Sequence, residues 1–430
     1  MQYRRALDYL LSLQKFGIKF GLSSTENLLA GLGRPQDGLA ILHLAGTNGK
    51  GSVGAAVTSI LRRAGYTVGF YTSPHLVTFR ERMVIGRRDG LEMIGAADVV
   101  RLVERIKSVS APQEPPTFFE FVTAMAFLYF AERKVDLAVM ETGMGGRLDA
   151  TNVARPLVGV ITNISIEHTD YLGPTLAHIA REKAGIIKPG LTVLTAERRA
   201  SVRAIFEEKA GEVGARLLAL GRDFRVRSRP GGGFDYHGLA ARLRHLSINL
   251  VGPHQHRNAA LALAAVELLS GLGFPVAERD LRAGLSKVHW PGRAETFAQP
   301  DGGPILMLDG AHNPDAARVL ARTLDGLDYR DLHLILGIMA DKDIAGIMAP
   351  LLSRARVLYL TRPAYFRAAP AETLARAAAG FSGPQSLYET VPAAIEAART
   401  SAGPGDLILV TGSLFTVGEA RAYLTGEPGD

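Results

Sequence analysis

A glycine-rich turn between an apolar run and an amphipathic segment is the feature that most restricts how this chain can fold. Residues 39–44 are mostly apolar, as in a buried strand, and apolar residues recur with helical spacing after Gly51. Gly46 and Gly49 precede Gly51, and Lys50 stands among them. Glycine lets a backbone wrap closely around an anion, and the N–H groups at a helix N-terminus attract that anion. The turn therefore predicts a phosphate-binding loop.

The loop departs from the common nucleotide-binding pattern, which is G-x-x-x-x-G-K-[ST]. Leu44 stands at the first glycine position, and Gly51 follows Lys50 where a serine or threonine is expected. A turn that only reverses the chain is the simpler alternative, but the lysine and the strand-loop-helix setting favour phosphate binding. We assign the loop to Gly46, Thr47, Asn48, Gly49, Lys50, Gly51 and Ser52.

The length of 430 residues exceeds one ordinary core, so we expect two domains. No apolar run approaches the roughly 20 residues that span a bilayer, and the first residues resemble an amphipathic helix more than a secretion signal. Cysteine is absent, which excludes disulfides, thiolate metal sites and cysteine nucleophiles. We therefore expect a cytoplasmic protein without a membrane partner.

The formal net charge of +7 raises the question of nucleic-acid binding. The excess is scattered, and no basic block interleaved with aromatic residues stands out. Examples of the scattered residues are Arg62, Arg63, Arg87, Arg88, Arg198 and Arg199. A basic cleft for anionic small substrates explains the charge equally well, and we expect no nucleic-acid partner.

Short apolar runs alternate with amphipathic stretches along most of the chain, which predicts an α/β fold with a mostly parallel sheet. Strands are predicted over residues 67–71, 137–141, 157–161 and 191–194. Helices are predicted over residues 96–109, 119–133, 176–184, 202–210, 255–270 and 277–285. Glycine-rich turns between short alternating runs predict a small antiparallel excursion over residues 224–250.

The alternation restarts after a loop-rich stretch, which predicts a second and smaller α/β domain. Its strands are predicted over residues 305–308, 332–336, 357–360 and 407–410, each followed by a helix. We therefore divide the chain into a first domain over residues 1–292, a linker over residues 293–303 and a second domain over residues 304–430.

Three polar residues follow predicted strands close to the phosphate loop. Glu141 and His168 follow two apolar runs, and Ser73 follows a third. Ligands of open α/β sheets bind beyond the carboxyl ends of the strands. A lone histidine is more often structural, but this position favours Mg²⁺, a hard cation that takes few protein ligands and keeps water and phosphate.

Together these residues resemble the folylpolyglutamate synthase/dihydrofolate synthase family of the Mur ligase superfamily. The resemblance covers nearly the whole chain and includes the motifs GTNGKGS and RLDATN. Its segments are residues 46–52, 72–76, 141–152, 168–173, 181–185, 290–293, 308–314, 341–343 and 411–413, with Asn258.

The resemblance implies a Mur-ligase-like P-loop ATPase domain followed by a smaller Rossmann-like domain. It implies an amide ligase that uses Mg²⁺ and ATP. ATP phosphorylates a folate carboxylate, and the amine of L-glutamate attacks the acyl phosphate. The implied substrates are 7,8-dihydropteroate and reduced folates, and we expect a monomer.

The same resemblance implies roles for individual residues. The catalytic residues are Lys50, Glu141, His168, Lys183 and His312. Magnesium, at two sites, is held in part by Ser73, Glu141 and His168. The nucleotide is contacted by the phosphate loop and by Asn258, Arg293 and Asp309. Substrate contacts are Thr117, Phe118, Phe119, Glu120, Leu148, Asp149 and Ala150, with Lys342 and Ser413 for glutamate. Lys183 matches a lysine that is carbamylated in the family.

Three alternatives remain open on the sequence. A monofunctional folylpolyglutamate synthase would extend only reduced folates. Another Mur-type ligase would join an amino acid to a different carboxylate. A non-catalytic P-loop switch protein would bind nucleotide without consuming it in response to glutamate.

Overall fold

The chain forms two compact units in the computed structural model, which describes residues 2–17, 19, 21–111, 113–230, 232–297 and 302–430. The first unit comprises Met1–Ser73, Arg80–Asn249 and His256–Val288. The second unit comprises Pro74–Phe79, Leu250–Gln255 and His289–Asp430. Residues 74–79, 250–255 and 289–292 of the first predicted domain therefore group with the second unit. Over the described ranges, none of the helices is long and apolar enough to span a membrane.

The first unit is built around an eight-stranded sheet. In chain order its strands are β1 (Ile41–Ala45), β2 (Val68–Tyr71), β3 (Met83–Arg87), β4 (Gly90–Met93), β5 (Leu137–Glu141), β6 (Val158–Ile161), β7 (Thr192–Thr195) and β8 (Arg216–Ala219). Their order in the sheet is β4-β3-β2-β5-β1-β6-β7-β8. The six strands from β2 to β8 in this order are parallel, and β3 and β4 extend one edge antiparallel.

Helices cover this sheet, and the central strands β1 and β5 are consequently buried over their whole length. The helices are α1 (Tyr3–Ser12), α2 (Ser23–Gly31), α3 (Lys50–Arg63), α4 (Ala96–Val109), α5 (Phe118–Glu132), α6 (Thr169–Leu172), α7 (Leu176–Ala184), α8 (Ala200–Val213), α9 (Pro253–Ser270) and α10 (Glu278–Ser286). One core cluster joins β6 and β7 to α7 and α8, with Phe206 fully buried in it.

The predicted antiparallel excursion is confirmed as a separate three-stranded sheet in the order β11-β10-β9. Its strands are β9 (Arg225–Ser228), β10 (Phe234–His237) and β11 (Arg242–Leu246). Apolar residues alternate with polar ones along these strands, so one face is buried and the other is exposed to solvent. Gly231, in the predicted turn, lies outside the described residues.

The second unit contains a six-stranded sheet. Its strands are β12 (Glu295–Phe297), β13 (Ile305–Leu308), β14 (Leu332–Leu336), β15 (Ala355–Thr361), β16 (Gln385–Tyr388) and β17 (Leu407–Thr411). They are arranged as β12-β13-β17-β14-β15-β16, and β12 is the antiparallel strand. The helices are α11 (Pro314–Leu324), α12 (Ile344–Leu352), α13 (Ala371–Ala377), α14 (Val391–Ser401) and α15 (Leu414–Thr425). Two core clusters, one with α11 to α13 and one with α14 and α15, lie on this sheet.

The predicted α/β class, with a mostly parallel first sheet and a second α/β region, is confirmed. Strands β3, β4, β8, β12 and β16 were not predicted from the sequence, and three of them, β4, β12 and β16, consist mostly of exposed or half-buried residues. Edge strands carry few apolar residues, so apolar runs do not reveal them. The predicted linker contains strand β12, and its residues 298–301 lie outside the described residues.

Helix α5 begins with a capping box. Thr117 accepts a hydrogen bond from the Glu120 N–H at 3.2 Å, and the Glu120 carboxylate accepts one from the Thr117 N–H at 2.7 Å. Both side chains are buried, so water does not replace these bonds. The cap fixes the start of a helix whose residues Phe121 to Phe130 are almost entirely buried.

Replacing Thr117 by alanine removes the side-chain acceptor, and we expect the free energy of unfolding to fall by about 1 kcal/mol. Urea unfolding followed by circular dichroism measures the change. Thr117→Ser retains the acceptor and should unfold close to the parent. An alanine variant as stable as the parent would show that the capping box does not stabilise this helix.

Candidate active site

The phosphate loop is tightly enclosed between β1 and α3. Gly46 has φ +136° and Gly49 has φ +90°, values that side-chain-bearing residues rarely adopt. A Cβ on Gly46 would lie 1.9 Å from the Thr162 Oγ1, and one on Gly49 would lie 2.7 Å from the Asn258 Oδ1. Both positions therefore require glycine. Asn258 on α9, a predicted nucleotide contact, lies directly against the loop.

The segment after β6 holds the loop in place through five hydrogen bonds, one of which the Thr47 hydroxyl donates to the Ser165 carbonyl at 3.3 Å. The Thr47 N–H donates to the Asn163 carbonyl at 2.9 Å, and the Asn48 N–H donates to the Asn163 Oδ1 at 3.0 Å. The Thr162 hydroxyl donates to the Asn48 carbonyl at 2.7 Å, and the Ser165 N–H donates to the Thr47 Oγ1 at 3.0 Å. Thr47 and Asn48 therefore shape the loop, while Gly51 and Ser52 lie in the first turn of α3.

Lys50 lies at the junction of the loop and α3. Its ammonium donates to the Gly46 carbonyl at 2.9 Å and to the Thr47 carbonyl at 3.2 Å. The same nitrogen is 3.8 Å from the Glu141 Oε1. The lysine charge is thus held at the loop and beside a buried carboxylate, which places it where phosphate oxygens would bind.

Glu141 ends strand β5, which lies next to β1, and it is in register with Leu44. The Thr72 hydroxyl donates to the Glu141 Oε2 at 2.5 Å, and Ser73 follows Thr72 at the end of β2. His168 follows β6 and precedes α6 with φ +48°, a left-handed conformation. Because β2, β5, β1 and β6 are adjacent and parallel, these three predicted metal ligands lie at or beyond the carboxyl ends of neighbouring strands.

This donor set fits magnesium. A carboxylate, a hydroxyl and an imidazole follow neighbouring strand ends around a phosphate loop, and Mg²⁺ in phosphate sites takes one or two carboxylates and keeps several waters. Among the described residues, no cluster of three or more His, Cys, Asp or Glu side chains suited to a metal is found.

Lys183 is the most deeply buried charge of this region. Its ammonium donates to the Gly46 carbonyl and pairs with the Glu167 Oε1, each at 2.9 Å. Burial lowers the pKa of Lys183, and the charge on Glu167 opposes that shift. Burial acts against the Glu167 charge as well, but Lys183, Lys50 and His168 outweigh it and lower the pKa of Glu167 to about 2.

Glu167 was not assigned a role from the sequence, although it directly precedes His168. In the structure it is the negative partner of two lysines near the loop. The signal was present, because a carboxylate next to a proposed metal ligand at a strand end is itself a candidate. Thr72, Thr162 and Asn163 were also missed, since single hydroxyl and amide side chains have no distinctive sequence pattern.

Residues 117–120 and 148–150, two segments predicted to contact the substrate, lie side by side. A Cβ on Gly143 would lie 2.4 Å from the Phe119 ring, so the start of α5 packs on the loop that follows β5. The Phe118 and Phe119 side chains are half-buried, and the Arg82 guanidinium lies 5.2 Å from the Phe118 ring centroid. Leu148 is half-buried, and Ala150 is buried in the short turn that follows.

Asp149 is engaged by the chain itself. It accepts hydrogen bonds from the Thr151 N–H at 3.0 Å, the Thr151 hydroxyl at 2.5 Å and the Met144 N–H at 2.9 Å. The Gly143 N–H is a fourth donor, and burial raises the pKa of the carboxyl. A carboxylate offers about four lone pairs. The four donors of the surrounding loop therefore fill the acceptor capacity of Asp149.

His43, on β1, contacts the loop that Asp149 organises. Its Nε2 lies 2.8 Å from the Thr151 Oγ1. Since the Thr151 proton goes to Asp149, the His43 Nε2–H is the donor, and Nδ1 has no hydrogen-bond partner among the described residues. Burial, aided by the charge of Lys188, lowers the pKa of His43 to about 3. His43 is therefore neutral at physiological pH.

In the second unit, Asp309 follows β13 and organises a turn. It accepts hydrogen bonds from the Ala294 N–H at 2.9 Å and the Ala311 N–H at 3.0 Å. Burial raises its pKa, and the nearby Arg293 opposes the shift. The His312 Nδ1 lies 2.9 Å from the Gly310 carbonyl, to which it donates. Arg293, Asp309 and His312 thus belong to one compact turn region.

Lys342 and Ser413 also follow strands of the second sheet. Lys342 pairs with Asp341 at 3.3 Å. Ser413 is buried and caps α15, because its hydroxyl accepts from the Thr416 N–H at 3.0 Å and bonds the Thr416 hydroxyl at 2.8 Å. Strands β14 and β17 are adjacent, so both residues lie at the same edge of this sheet. The glutamate-binding roles of both residues stay predictions.

We expect the stability of the protein to depend on the charge state of His43. The folded-state pKa is below the unfolded value of 6.5, so the unfolded chain binds the proton more tightly. The corresponding stability is fully present above pH 6.5 and falls as the pH drops from there toward 3. The glutamine of His43→Gln takes up no proton in this range. The difference in free energy of unfolding between the parent and this variant should therefore narrow by about 2 kcal/mol between pH 6.5 and 5.

Urea unfolding at several pH values measures this narrowing. A stability difference between His43→Gln and the parent that stays constant with pH would contradict a neutral, buried imidazole at this position.

Comparison with known proteins identifies the family. The Mur ligase middle domain matches residues 44–266, and the Mur ligase, glutamate ligase domain matches residues 292–414. A probable bifunctional folylpolyglutamate synthase/dihydropteroate synthase of Haloferax volcanii is 39% identical over 99% of this chain. The chain spans 51%, about half, of that relative's length.

Other relatives match over their full length. A dihydrofolate synthase/folylpolyglutamate synthase of Bacillus subtilis is 34% identical, with 98% of this chain and 99% of the relative covered. Among solved structures, E. coli FolC in complex with DHPP and ADP aligns with a TM-score of 0.89 at 31% identity, and the alignment covers 98% of each chain. The chain therefore belongs to the folylpolyglutamate synthase/dihydrofolate synthase family of the Mur ligases.

Proposed function

We propose that this protein is an ATP-dependent amide ligase that joins L-glutamate to 7,8-dihydropteroate and to the γ-glutamyl tail of reduced folates. The observation that carries the proposal is the arrangement of Lys50, Glu141 and Lys183 around one phosphate loop at the edge of a parallel sheet. The names of its relatives and the DHPP and ADP bound by the E. coli protein support the substrates.

The reaction activates an unreactive carboxylate so that an amine can attack its carbon atom. A folate carboxylate oxygen takes the γ-phosphoryl group of ATP, and ADP leaves. The neutral glutamate amine forms a C–N bond at the acyl carbon and gives up one proton, and inorganic phosphate departs with the C–O bond pair. The protein contributes mainly by positioning the groups and by neutralising negative charge.

The residues of the first unit suit these tasks. The N–H groups of the loop and the start of α3 would hold the ATP phosphates, and Lys50 would add a full positive charge. Ser73, Glu141 and His168 would hold Mg²⁺, which supplies charge neutralisation on the phosphates when bound. The Phe118 and Phe119 rings, both half-buried beside the loop after β5, offer flat surfaces for a pterin ring.

Several finer assignments belong to the same proposal. They are the nucleotide contacts of Asn258, Arg293 and Asp309, the role of His312, the second magnesium site and carbamylation of Lys183. The monomeric state and the cytoplasmic location also stay predictions.

The proposal is tested by ATP hydrolysis with purified protein, Mg²⁺ and L-glutamate, with 7,8-dihydropteroate, tetrahydrofolate or no acceptor. We expect one glutamate added to dihydropteroate and several added to tetrahydrofolate, as read from product masses. Lys50→Ala should lower turnover at least about a hundredfold, because the phosphates lose a fixed charge. Lys209→Ala, on exposed α8, is the matched control.

The other outcomes separate the alternatives. Products from tetrahydrofolate alone would identify a monofunctional folylpolyglutamate synthase. Turnover only with UDP-linked peptide acceptors would identify a different Mur-type ligase. Nucleotide binding without any glutamate-dependent turnover would indicate a switch protein and would overturn the proposal.

We expect His168→Ala to raise the Mg²⁺ concentration for half-maximal activity at least about tenfold, because a metal ligand is lost. A titration of Mg²⁺ at saturating ATP measures this. His178→Ala, which removes an exposed histidine of α7, should leave the titration unchanged. A normal magnesium dependence of the His168 variant would exclude this residue as a ligand.

A further inference from the structure

Two consecutive hydrogen bonds connect strand β1 to the loop that follows β5. The His43 Nε2–H donates to the Thr151 Oγ1 at 2.8 Å, and the Thr151 hydroxyl donates to the Asp149 Oδ1 at 2.5 Å. His43 and Thr151 are fully buried, and Asp149 is buried as well. Water therefore does not compete for these bonds, and each bond sets the direction of the next.

Asp149 connects these two bonds to the backbone of the same loop. Its Oδ2 accepts a hydrogen bond from the Met144 N–H at 2.9 Å, and the Gly143 N–H is a further donor. Its Oδ1 also accepts from the Thr151 N–H at 3.0 Å, at the start of the short turn Ala150–Val153. The beginning and the end of the loop are therefore bonded to one carboxylate.

The beginning of this loop packs against a ring that we propose for pterin stacking. A Cβ on Gly143 would lie 2.4 Å from the Phe119 ring, so the glycine backbone and the ring are in direct contact. The ring centroids of Phe119 and Tyr71 are 6.2 Å apart, and Tyr71 is fully buried at the end of β2. The position of the Phe119 ring therefore depends on where Asp149 holds the Gly143 backbone.

His43 lies on the strand that carries the phosphate loop. Strand β1 ends at Ala45, directly before Gly46, and His43 is two residues before that end. It pairs with β5 on one side and with β6 on the other, and all of its residues are buried. Such core strands are the last parts of a protein to open. His43 therefore fixes the loop after β5 relative to the phosphate loop.

We infer that His43 is a positioning residue for the folate acceptor, an inference that rests on the proposed function. Through Thr151 and Asp149, it holds the loop that packs on Phe119 and so sets where the pterin lies relative to the ATP phosphates. Phosphoryl transfer needs the acceptor carboxylate to approach in line, and a displacement of about 1 Å lowers the rate by as much as about a hundredfold. Because His43 is fully buried, it acts without contacting the substrate.

The unpaired nitrogen of His43 indicates that packing alone does not explain this residue. Its Nδ1 has no hydrogen-bond partner among the described residues, and burying an unpaired acceptor is unfavourable. An apolar side chain would avoid that cost on a central parallel strand. The imidazole instead supplies a donor to the Thr151 hydroxyl, whose own proton goes to Asp149.

The far end of the turn is attached to the protein independently of His43. The Lys188 ammonium donates to the Asn152 carbonyl at 2.5 Å and to the Ala154 carbonyl. The Asn152 Nδ2 donates to the Gly185 carbonyl at 3.1 Å. Removing the His43 donor should therefore displace the loop near Asp149 without releasing the whole segment.

The test uses variants at both ends of the first hydrogen bond. His43→Leu removes the donor and Thr151→Val removes the hydroxyl, whereas His43→Gln and Thr151→Ser each retain a group that can form the bond. We expect the first two variants to lower kcat/KM for 7,8-dihydropteroate at least about tenfold, and the other two to stay within about threefold of the parent. The KM for L-glutamate and the affinity for a fluorescent ATP analogue should not change in any of the four.

The double variant His43→Leu/Thr151→Val tests whether the histidine acts through the threonine. If it does, the double variant should be no worse than Thr151→Val alone, because the same bond is already lost. Losses that multiply would show two independent roles and would overturn the inference.

His333→Leu is the matched control for the loss of a buried histidine. His333 is buried on β14, an inner strand of the second sheet, and its Nδ1 lies 3.0 Å from the Tyr359 hydroxyl. This variant should keep the parent's kcat/KM for 7,8-dihydropteroate. A loss as large as that of His43→Leu would attribute both effects to general destabilisation and would overturn the inference.

Direct binding separates this inference from the proposed function. Titration calorimetry of 7,8-dihydropteroate into protein saturated with ADP and Mg²⁺ measures acceptor affinity without turnover, and His43→Leu should weaken it at least about tenfold. Thr151→Val and Thr151→Ser provide the same comparison if His43→Leu does not fold. Absence of turnover with every acceptor would overturn the proposed function, whereas an unchanged dihydropteroate affinity in the variants that lack the bond would overturn only the inference.

Discussion

The buried ammonium of Lys183 is the interaction on which the rest of the site depends. Burying a charge costs several kcal/mol unless partners compensate it, and here the compensation comes from the Gly46 carbonyl and the Glu167 carboxylate. These partners belong to the phosphate loop and to the segment after β6, while Lys183 is on α7. The loop, the segment and the helix must therefore assemble together. The bonds between Asn163 and the loop then add to a geometry that the lysine already requires.

Parallel strand order does the remaining positioning. In the first unit, β2, β5, β1 and β6 end at the same edge, so Thr72, Glu141, the phosphate loop and His168 follow neighbouring strands without any long connection. The second unit has the same arrangement, because its adjacent strands β13, β17 and β14 are followed by Asp309, Ser413 and Lys342. In both sheets the buried strands supply rigidity, and the loops beyond them supply polar groups.

The sequence was sufficient to predict the structure where a pattern of residues is compatible with few local structures. Glycines beside a lysine between a strand and a helix predict a phosphate loop, and long apolar runs predict central strands. It was insufficient where the explanation depends on neighbours in space. Edge strands such as β16 lack apolar runs, and the pairing of Glu167 with Lys183 needs the fold. Arginines on one face of the small sheet were also missed because they were judged by their clustering along the chain, whereas strand pairing places Arg225 and Arg242 in one cross-strand row on either side of His237.

Hydrogen-bond capacity separates structural from substrate-binding roles within the recognised motifs. The Thr117 hydroxyl accepts from the Glu120 N–H, Asp149 has four donors for about four lone pairs, and Ser413 caps its own helix. A motif residue whose polar atoms are already bonded gains little by contacting a ligand, because it must first give up an internal bond. Direct recognition of a pterin is therefore better suited to Phe118 and Phe119, whose half-buried rings stack without breaking any hydrogen bond.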